Sequence, residues 1–174
     1  DQRFYQHEGV DSRSYIRVFL RTILGGDQSG GGGSTLSQQL VKNLYGREKH
    51  GLLTLPVNKI KEALVAARLE QVYDKNDVLT LYLNSVPFGE DLYGVEAAAR
   101  RYFNKPAQRL KVEEAAVLVG MLKANTSYNP RLNPERSRER RNLVLRLMAT
   151  RGHLTAAEVD SLQLLPLTID YRGR

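Results

Sequence analysis

Asn58-Lys59-Ile60-Lys61-Glu62-Ala63-Leu64-Val65-Ala66-Ala67-Arg68-Leu69-Glu70-Gln71-Val72-Tyr73 is the stretch whose period sets the fold class. Placed at about 100° per residue, Ile60, Ala63, Leu64 and Ala67 line one side, and Val65, Ala66 and Leu69 cover much of the other. The segment therefore reads as a helix that is apolar nearly all round, and it is predicted to be largely buried. Glu62 stands out against that background, because its neighbours at i+3, i+4 and i+7 are Val65, Ala66 and Leu69. A carboxylate so placed has either a raised pKa or a cation, such as Lys59 or Lys61, that holds it ionised. A purely structural pairing of a buried Glu with an arginine accounts for the same pattern.

Helical punctuation continues on both sides. Upstream, Tyr15, Ile16, Val18, Phe19, Leu20, Ile23 and Leu24 read as a mostly apolar helix stopped at Gly25-Gly26, and residues 25–33 as a flexible glycine loop. Thr35-Leu36-Ser37-Gln38 is a capping box that opens a helix to about Tyr45. Residues 46–57 read as a second loop, and its end, Gly51-Leu52-Leu53-Thr54-Leu55-Pro56-Val57, is apolar where a loop is ordinarily polar, which predicts contact with an apolar surface. Downstream, helices are expected over 75–83, 94–103 and 111–123. Another is opened by Asn133-Pro134 and closed at Gly152, and a short last one follows the capping box Thr155-Ala156-Ala157-Glu158. Strand-like alternation is scarce, and neither an internal repeat nor a domain linker is evident, so residues 1–174 read as one mainly α domain.

Composition narrows the function classes. The length of 174 residues, with 41% hydrophobic and 26% charged residues, fits a folded domain with its own core. Cysteine is absent, which removes disulfide frameworks, zinc-finger spacings and thiol nucleophiles together. The longest apolar run, Ala115 to Leu122, is far shorter than the ~20 residues that cross a bilayer. A start at Asp1 without Met or a signal-like apolar region points to a piece of something longer. The net charge of +7 suits nucleic acid, an anionic membrane surface or a phosphate-bearing substrate. The absence of Trp, the scarcity of Phe and the lack of a basic run argue against nucleic acid.

Three sets of residues could carry chemistry. On the helix from Leu36 to Tyr45, Gln38, Gln39, Lys42 and Asn43 share an arc opposite Leu36, Leu40, Val41, Leu44 and Tyr45. Amides suit hydroxyl-rich ligands and a lysine suits phosphate, although an ordinary polar surface has the same pattern. On the helix from Pro134, Arg141 falls in line with Val144, Leu145 and Met148 and is a candidate ligand for carboxylate or phosphate, with Arg140 beside it. His7, His50 and His153 lack the spacing of a metal site, and His7 reads as a local hydrogen-bonding residue.

These segments, in this order, resemble the glycosyltransferase domain of bifunctional class A penicillin-binding proteins, the peptidoglycan glycosyltransferases of family 51. The motif E-D-x-x-F-x-x-H-x-G is matched from Asp1 through Phe4 and His7 to Gly9, and G-G-S-T-x-x-Q-Q-x-x-K-N from Gly32 to Asn43. R-K-x-x-E is matched by Asn58-Lys59-Ile60-Lys61-Glu62, K-x-x-I-L-x-x-Y-L-N by Lys75 to Asn84, and R-x-x-x-V-L-x-x-M by Arg140 to Met148. Asn58 departs from the third motif's Arg.

The resemblance implies a mainly α, lysozyme-like helical catalytic lobe with a smaller membrane-facing jaw lobe, on the outer, periplasmic face of the cytoplasmic membrane. It implies polymerisation of lipid II into glycan strands with release of undecaprenyl pyrophosphate. The partners it implies are lipid II, the growing glycan strand, the anionic membrane surface and a transpeptidase domain elsewhere in the polypeptide. It implies no cofactor beyond a divalent cation accompanying the pyrophosphate. The catalytic set it carries over is Glu62 and Asp1, with the motif's general-base Glu standing immediately before Asp1, so that the chain as given would lack that base. The substrate-binding set is Ser34, Gln38, Lys42, Lys59 and Arg140. The competing readings are a lysozyme-like lytic or hydrolytic muramidase and a non-catalytic module that binds anionic lipid or glycan.

Overall fold

The computed structural model describes residues 4–7, 9, 34–49, 51 and 54–173. Asp1, the helix expected after Asp11, the glycine loop 25–33 and Leu52-Leu53 lie outside the described residues. Seven α-helices are described: α1 Leu36–Tyr45, α2 Thr54–Val72, α3 Lys75–Ser85, α4 Val95–Phe103, α5 Val112–Met121, α6 Pro134–Thr150 and α7 Ala156–Leu164. Short 3-10 turns occupy Phe4–Gln6 and Ala107–Arg109. Among the described residues, extended pairing is limited to one isolated antiparallel bridge between Pro87 and Tyr93. The chain is mainly α and divides into two compact units, residues 1–85 and 86–174.

In the first unit, α1 packs on α2 and α3. The Thr35 hydroxyl receives the Gln38 N–H while the Gln38 carboxamide receives the Thr35 N–H, so both halves of the capping box form. Gly46, at φ +66°, ends α1 and its N–H reaches the Lys42 carbonyl at 2.9 Å. Leu40, Val41, Ala66, Val78 and Tyr82 form the apolar interior.

Helix α2 departs from the sequence reading in two ways. It begins at Thr54 rather than at residue 58, so Thr54 to Val57 are helical. Pro56 is compatible with this because it sits in the first turn, where a missing N–H deprives no intrahelical acceptor. Nor is the helix largely buried: only Asn58, Glu62 and Ala66 are buried, while Ile60 and Leu64 are each 62% exposed. The buried ridge runs at intervals of four residues through Asn58, Glu62, Ala66 and Glu70, whose side chain is 3% exposed. The helix thus turns a largely polar ridge inward and Val57, Ile60 and Leu64 outward, with Leu55 exposed in its first turn.

In the second unit, α5 packs on α6 and α6 on α7, around Ala116, Val144, Leu145 and Val159. Asn133 does precede α6, but its side chain donates to the Thr126 carbonyl at 3.1 Å instead of capping the helix. The capping box at Thr155 and Glu158 forms as predicted. Tyr102, on α4, is fully buried; its hydroxyl donates to the Phe88 carbonyl at 3.1 Å and accepts the Asn129 amide at 2.9 Å. Tyr102→Phe leaves the Phe88 carbonyl without its donor and the Asn129 amide with only its longer contact to Glu90 at 3.4 Å, and is expected to cost about 1–2 kcal/mol. Burial, with the negative charge of Glu90 adding to it, pushes the Tyr102 hydroxyl up to about 12. Between an unfolded tyrosine's value near 10 and that value the folded state alone keeps the proton, so this contribution is complete below about pH 10 and falls as pH rises. Urea unfolding at pH 8 and pH 11 should therefore show the gap between parent and variant narrowing at the higher pH; a constant gap would refute the assignment.

Candidate active site

Glu62 is the centre of a cluster in the first unit, and it is 3% exposed. Its Oε1 receives Arg47 Nε at 2.8 Å, and its Oε2 receives Lys59 Nζ at 2.7 Å. Lys59 Nζ also donates to Ser34 Oγ at 2.6 Å. One ammonium therefore joins the segment before α1 to the buried carboxylate of α2. Burial pushes the Glu62 carboxyl up, but the hydrogen bonds and charges of Arg47 and Lys59 outweigh it and hold the group below the ordinary carboxylate range. Of the two outcomes open from the sequence, a raised pKa or ionisation held by a cation, the second is observed. Lys61 is not the cation: it pairs with Glu48 at 2.5 Å.

Arg47 was not legible from the sequence. It lies in the segment between α1 and α2, with no helical period connecting it to Glu62. What brings it there is Asn58. The Asn58 amide donates to the Glu48 carbonyl at 2.8 Å and the Thr54 carbonyl at 2.6 Å, and its oxygen accepts the Glu48 N–H at 3.1 Å. The residue that departs from the third motif thus clips the preceding segment onto α2, one residue away from Arg47. The only signal available was the cation deficit that Asn58 itself creates.

The other predicted residues divide. Ser34, Lys59 and Glu62 meet as described. Gln38 is fully buried and its carbonyl oxygen is engaged by the cap, so the amide arc read from the sequence does not present it to a ligand. Lys42 is exposed on α1. Arg140 belongs to the second unit, where its guanidinium lies 5.5 Å from the Tyr128 ring centroid and its Nε is buried with no hydrogen-bond partner among the described residues. Arg141 is corrected: at 1% exposure it donates to Asn142 Oδ1 and to the Gln163 and Pro166 carbonyls. The guanidinium is thereby taken up in fastening the end of α7 and the segment that follows it.

Chemically, the cluster is a carboxylate that aligns two cations, each partly exposed. Only Nε of the Arg47 guanidinium is engaged with Glu62, and a guanidinium carries further N–H groups in a fork that matches phosphate oxygens.

The family described as "Transglycosylase" matches residues 1–149. Penicillin-binding protein 1F of Bacillus subtilis is 40% identical over 163 residues, covering 94% of this chain and 22% of the relative. Penicillin-binding protein 1A of Escherichia coli is 37% identical over 173 residues, covering 99% and 20%. The crystal structure of penicillin-binding protein 1A from Haemophilus influenzae aligns with a TM-score of 0.55 at 37% identity, over 58% of this chain and 15% of that one. The class defined by these likenesses and by the helical fold is the lysozyme-like glycosyltransferase domain. This chain spans about a fifth of the length of the curated relatives it matches. It belongs to the transglycosylase family.

Proposed function

We propose that this domain is the peptidoglycan glycosyltransferase of a class A penicillin-binding protein and polymerises lipid II. In that reaction the acceptor sugar's 4-hydroxyl oxygen forms a bond to the donor's anomeric carbon as the bond from that carbon to the pyrophosphate oxygen breaks. The hydroxyl proton passes to a carboxylate base, and undecaprenyl pyrophosphate leaves. The observation that supports this reading is the Glu62 cluster. Lys59 and Arg47 are placed to neutralise charge that builds on the leaving pyrophosphate, and Glu62 fixes where they stand. Ser34, tied to Lys59, contributes a hydroxyl to the donor site, Lys42 contributes a further anion contact, and Gln38 acts through the cap that sets the start of α1 beside Ser34; within the second unit, Arg140 is an anion contact in its own right. Asp1 and the acidic residue expected before it supply the base.

Among the described residues no helix is long and apolar enough to cross a membrane. The outward apolar row Val57, Ile60 and Leu64 supports association with the outer surface of the cytoplasmic membrane, where a lipid-linked donor resides. A divalent cation is proposed to accompany the pyrophosphate as its counter-ion. A transpeptidase domain is proposed as a neighbour in the same polypeptide. The muramidase reading is not favoured, because a hydrolase of finished glycan has no diphosphate for Lys59 and Arg47 to meet. The test is incubation of the full-length polypeptide with labelled lipid II. Lengthening glycan is the expected result, whereas cleavage of preformed glycan, or binding without product, would overturn the proposal.

A further inference from the structure

A second buried carboxylate on α2 has no part in the reaction proposed above. Both oxygens of Glu70 are occupied: Oε1 receives the Ser37 hydroxyl, and Oε2 receives the Gly9 N–H at 2.6 Å and Lys75 Nζ at 2.5 Å. Lys75 Nζ in turn donates to the His7 carbonyl and lies 4.7 Å from the Phe4 ring centroid. The Gly9 carbonyl accepts the Thr35 hydroxyl at 2.6 Å. Gly9, at φ +74°, lies so close to α2 that a Cβ would stand 2.8 Å from backbone atoms of Ala66 and Ala67. The segment itself is weak: a three-residue 3-10 turn followed by a bend, too short to hold a conformation alone. Its polar backbone groups at His7 and Gly9 are met by Glu70, Lys75 and Thr35, and the buried Phe4 ring by the Lys75 ammonium.

We infer that Glu70 and Lys75 are positioning residues, a charged latch that docks residues 4–7 and Gly9 onto the same helix that presents Lys59 and Glu62. The inference rests on the glycosyltransferase reading, in which the chain leading into Phe4 supplies the acidic base. The base and the cations must hold one spacing, and a displacement of about 1 Å is enough to slow such a reaction by about 10²-fold. Glu70 sits two helical turns from Glu62 along the buried ridge, so the latch refers the entering segment to the rigid element that already fixes the cation site.

The test uses Glu70→Gln, Lys75→Met and Lys75→Arg in the full-length polypeptide. Glu70→Gln and Lys75→Met are expected to lower kcat on lipid II by about 10–100-fold with KM changed by less than about threefold, while Lys75→Arg, which keeps charge and donors, retains most of the turnover. Amide exchange followed by mass spectrometry should show residues 4–9 losing protection in the first two variants while residues 60–70 keep theirs. Unchanged kcat, or loss of protection spread equally over 4–9 and 60–70, would overturn the latch and leave Glu70 an ordinary stabilising residue. If the parent itself binds lipid II without extending it, the glycosyltransferase reading fails, and the exchange pattern then decides the latch on its own.

Discussion

Glu62→Gln is expected to lower turnover on lipid II by about two to three orders of magnitude while costing only about 1–2 kcal/mol of stability. The amide keeps the volume of the carboxylate but presents one oxygen and one N–H pair. It can accept from Arg47 or from Lys59, not from both, and its own donors oppose whichever cation is left. The two cations then lose their common reference, and the Lys59 contact to Ser34 loses the anion that aims it. The stability cost stays small because the side chains of Arg47 and Lys59 are 31% and 36% exposed and recover water when the carboxylate is gone. Leaving a buried charge stranded would cost several kcal/mol more. The sign of the pH dependence follows from the depressed pKa. The ion pairs stabilise fully above the ordinary carboxylate range, and their contribution is lost only as pH falls through the lower folded value. Protonation of Glu62 therefore does not account for any loss of turnover between pH 7 and pH 5. A polymerisation assay and a thermal melt on the same preparation decide the matter: parallel losses in both would return Glu62 to a structural role.

Gly9→Ala is expected to be the most damaging glycine-to-alanine change among the described residues of the first unit, lowering stability by about 2–5 kcal/mol. Two effects combine. A left-handed backbone costs an L residue about 1–2 kcal/mol, and forcing a methyl into a filled space costs about 1–3 kcal/mol. Here the new carbon would meet the Ala66 carbonyl group and Ala67 Cα at 2.8 Å, and these belong to the helix backbone and cannot swing aside. By contrast, Gly46, Gly51 and Gly152 also have positive φ, but nothing lies within 4 Å of their added Cβ, so only the backbone cost applies there. Urea unfolding of the three corresponding alanine variants beside Gly9→Ala gives the comparison, and an equal loss at all four sites would show that the approach to α2 is looser than described.

Much of the helical skeleton was legible because its signals are local. The capping boxes at Thr35 and Thr155 and the stop at Gly46 involve groups within a few residues of each other, so the sequence carries them directly. Glu62 was legible as an anomaly, a carboxylate among apolar neighbours, yet its partners were not. The cation that matters most after Lys59 is fifteen positions away across a loop, where no period operates. The burial of α2 departs from its pattern for a related reason. Apolar content on both sides predicts an interior helix, whereas the inward ridge is Asn58, Glu62, Ala66 and Glu70, stabilised by specific polar partners rather than by hydrocarbon. Arg141 misled in the opposite direction: its alignment with Val144, Leu145 and Met148 correctly signalled burial, but backbone carbonyls satisfy it.

The clip made by Asn58 constrains what position 58 can carry in this chain. Position 58 carries the asparagine that seats Glu48, and through it the neighbouring Arg47, against α2. An arginine at 58 has no acceptor for the Glu48 N–H and would let the loop go, taking Arg47 with it. The amide at 58 and the guanidinium at 47 thus work as one device: the first seats the strip of backbone that carries the second, and loss of either takes away the forked cation on Glu62 Oε1.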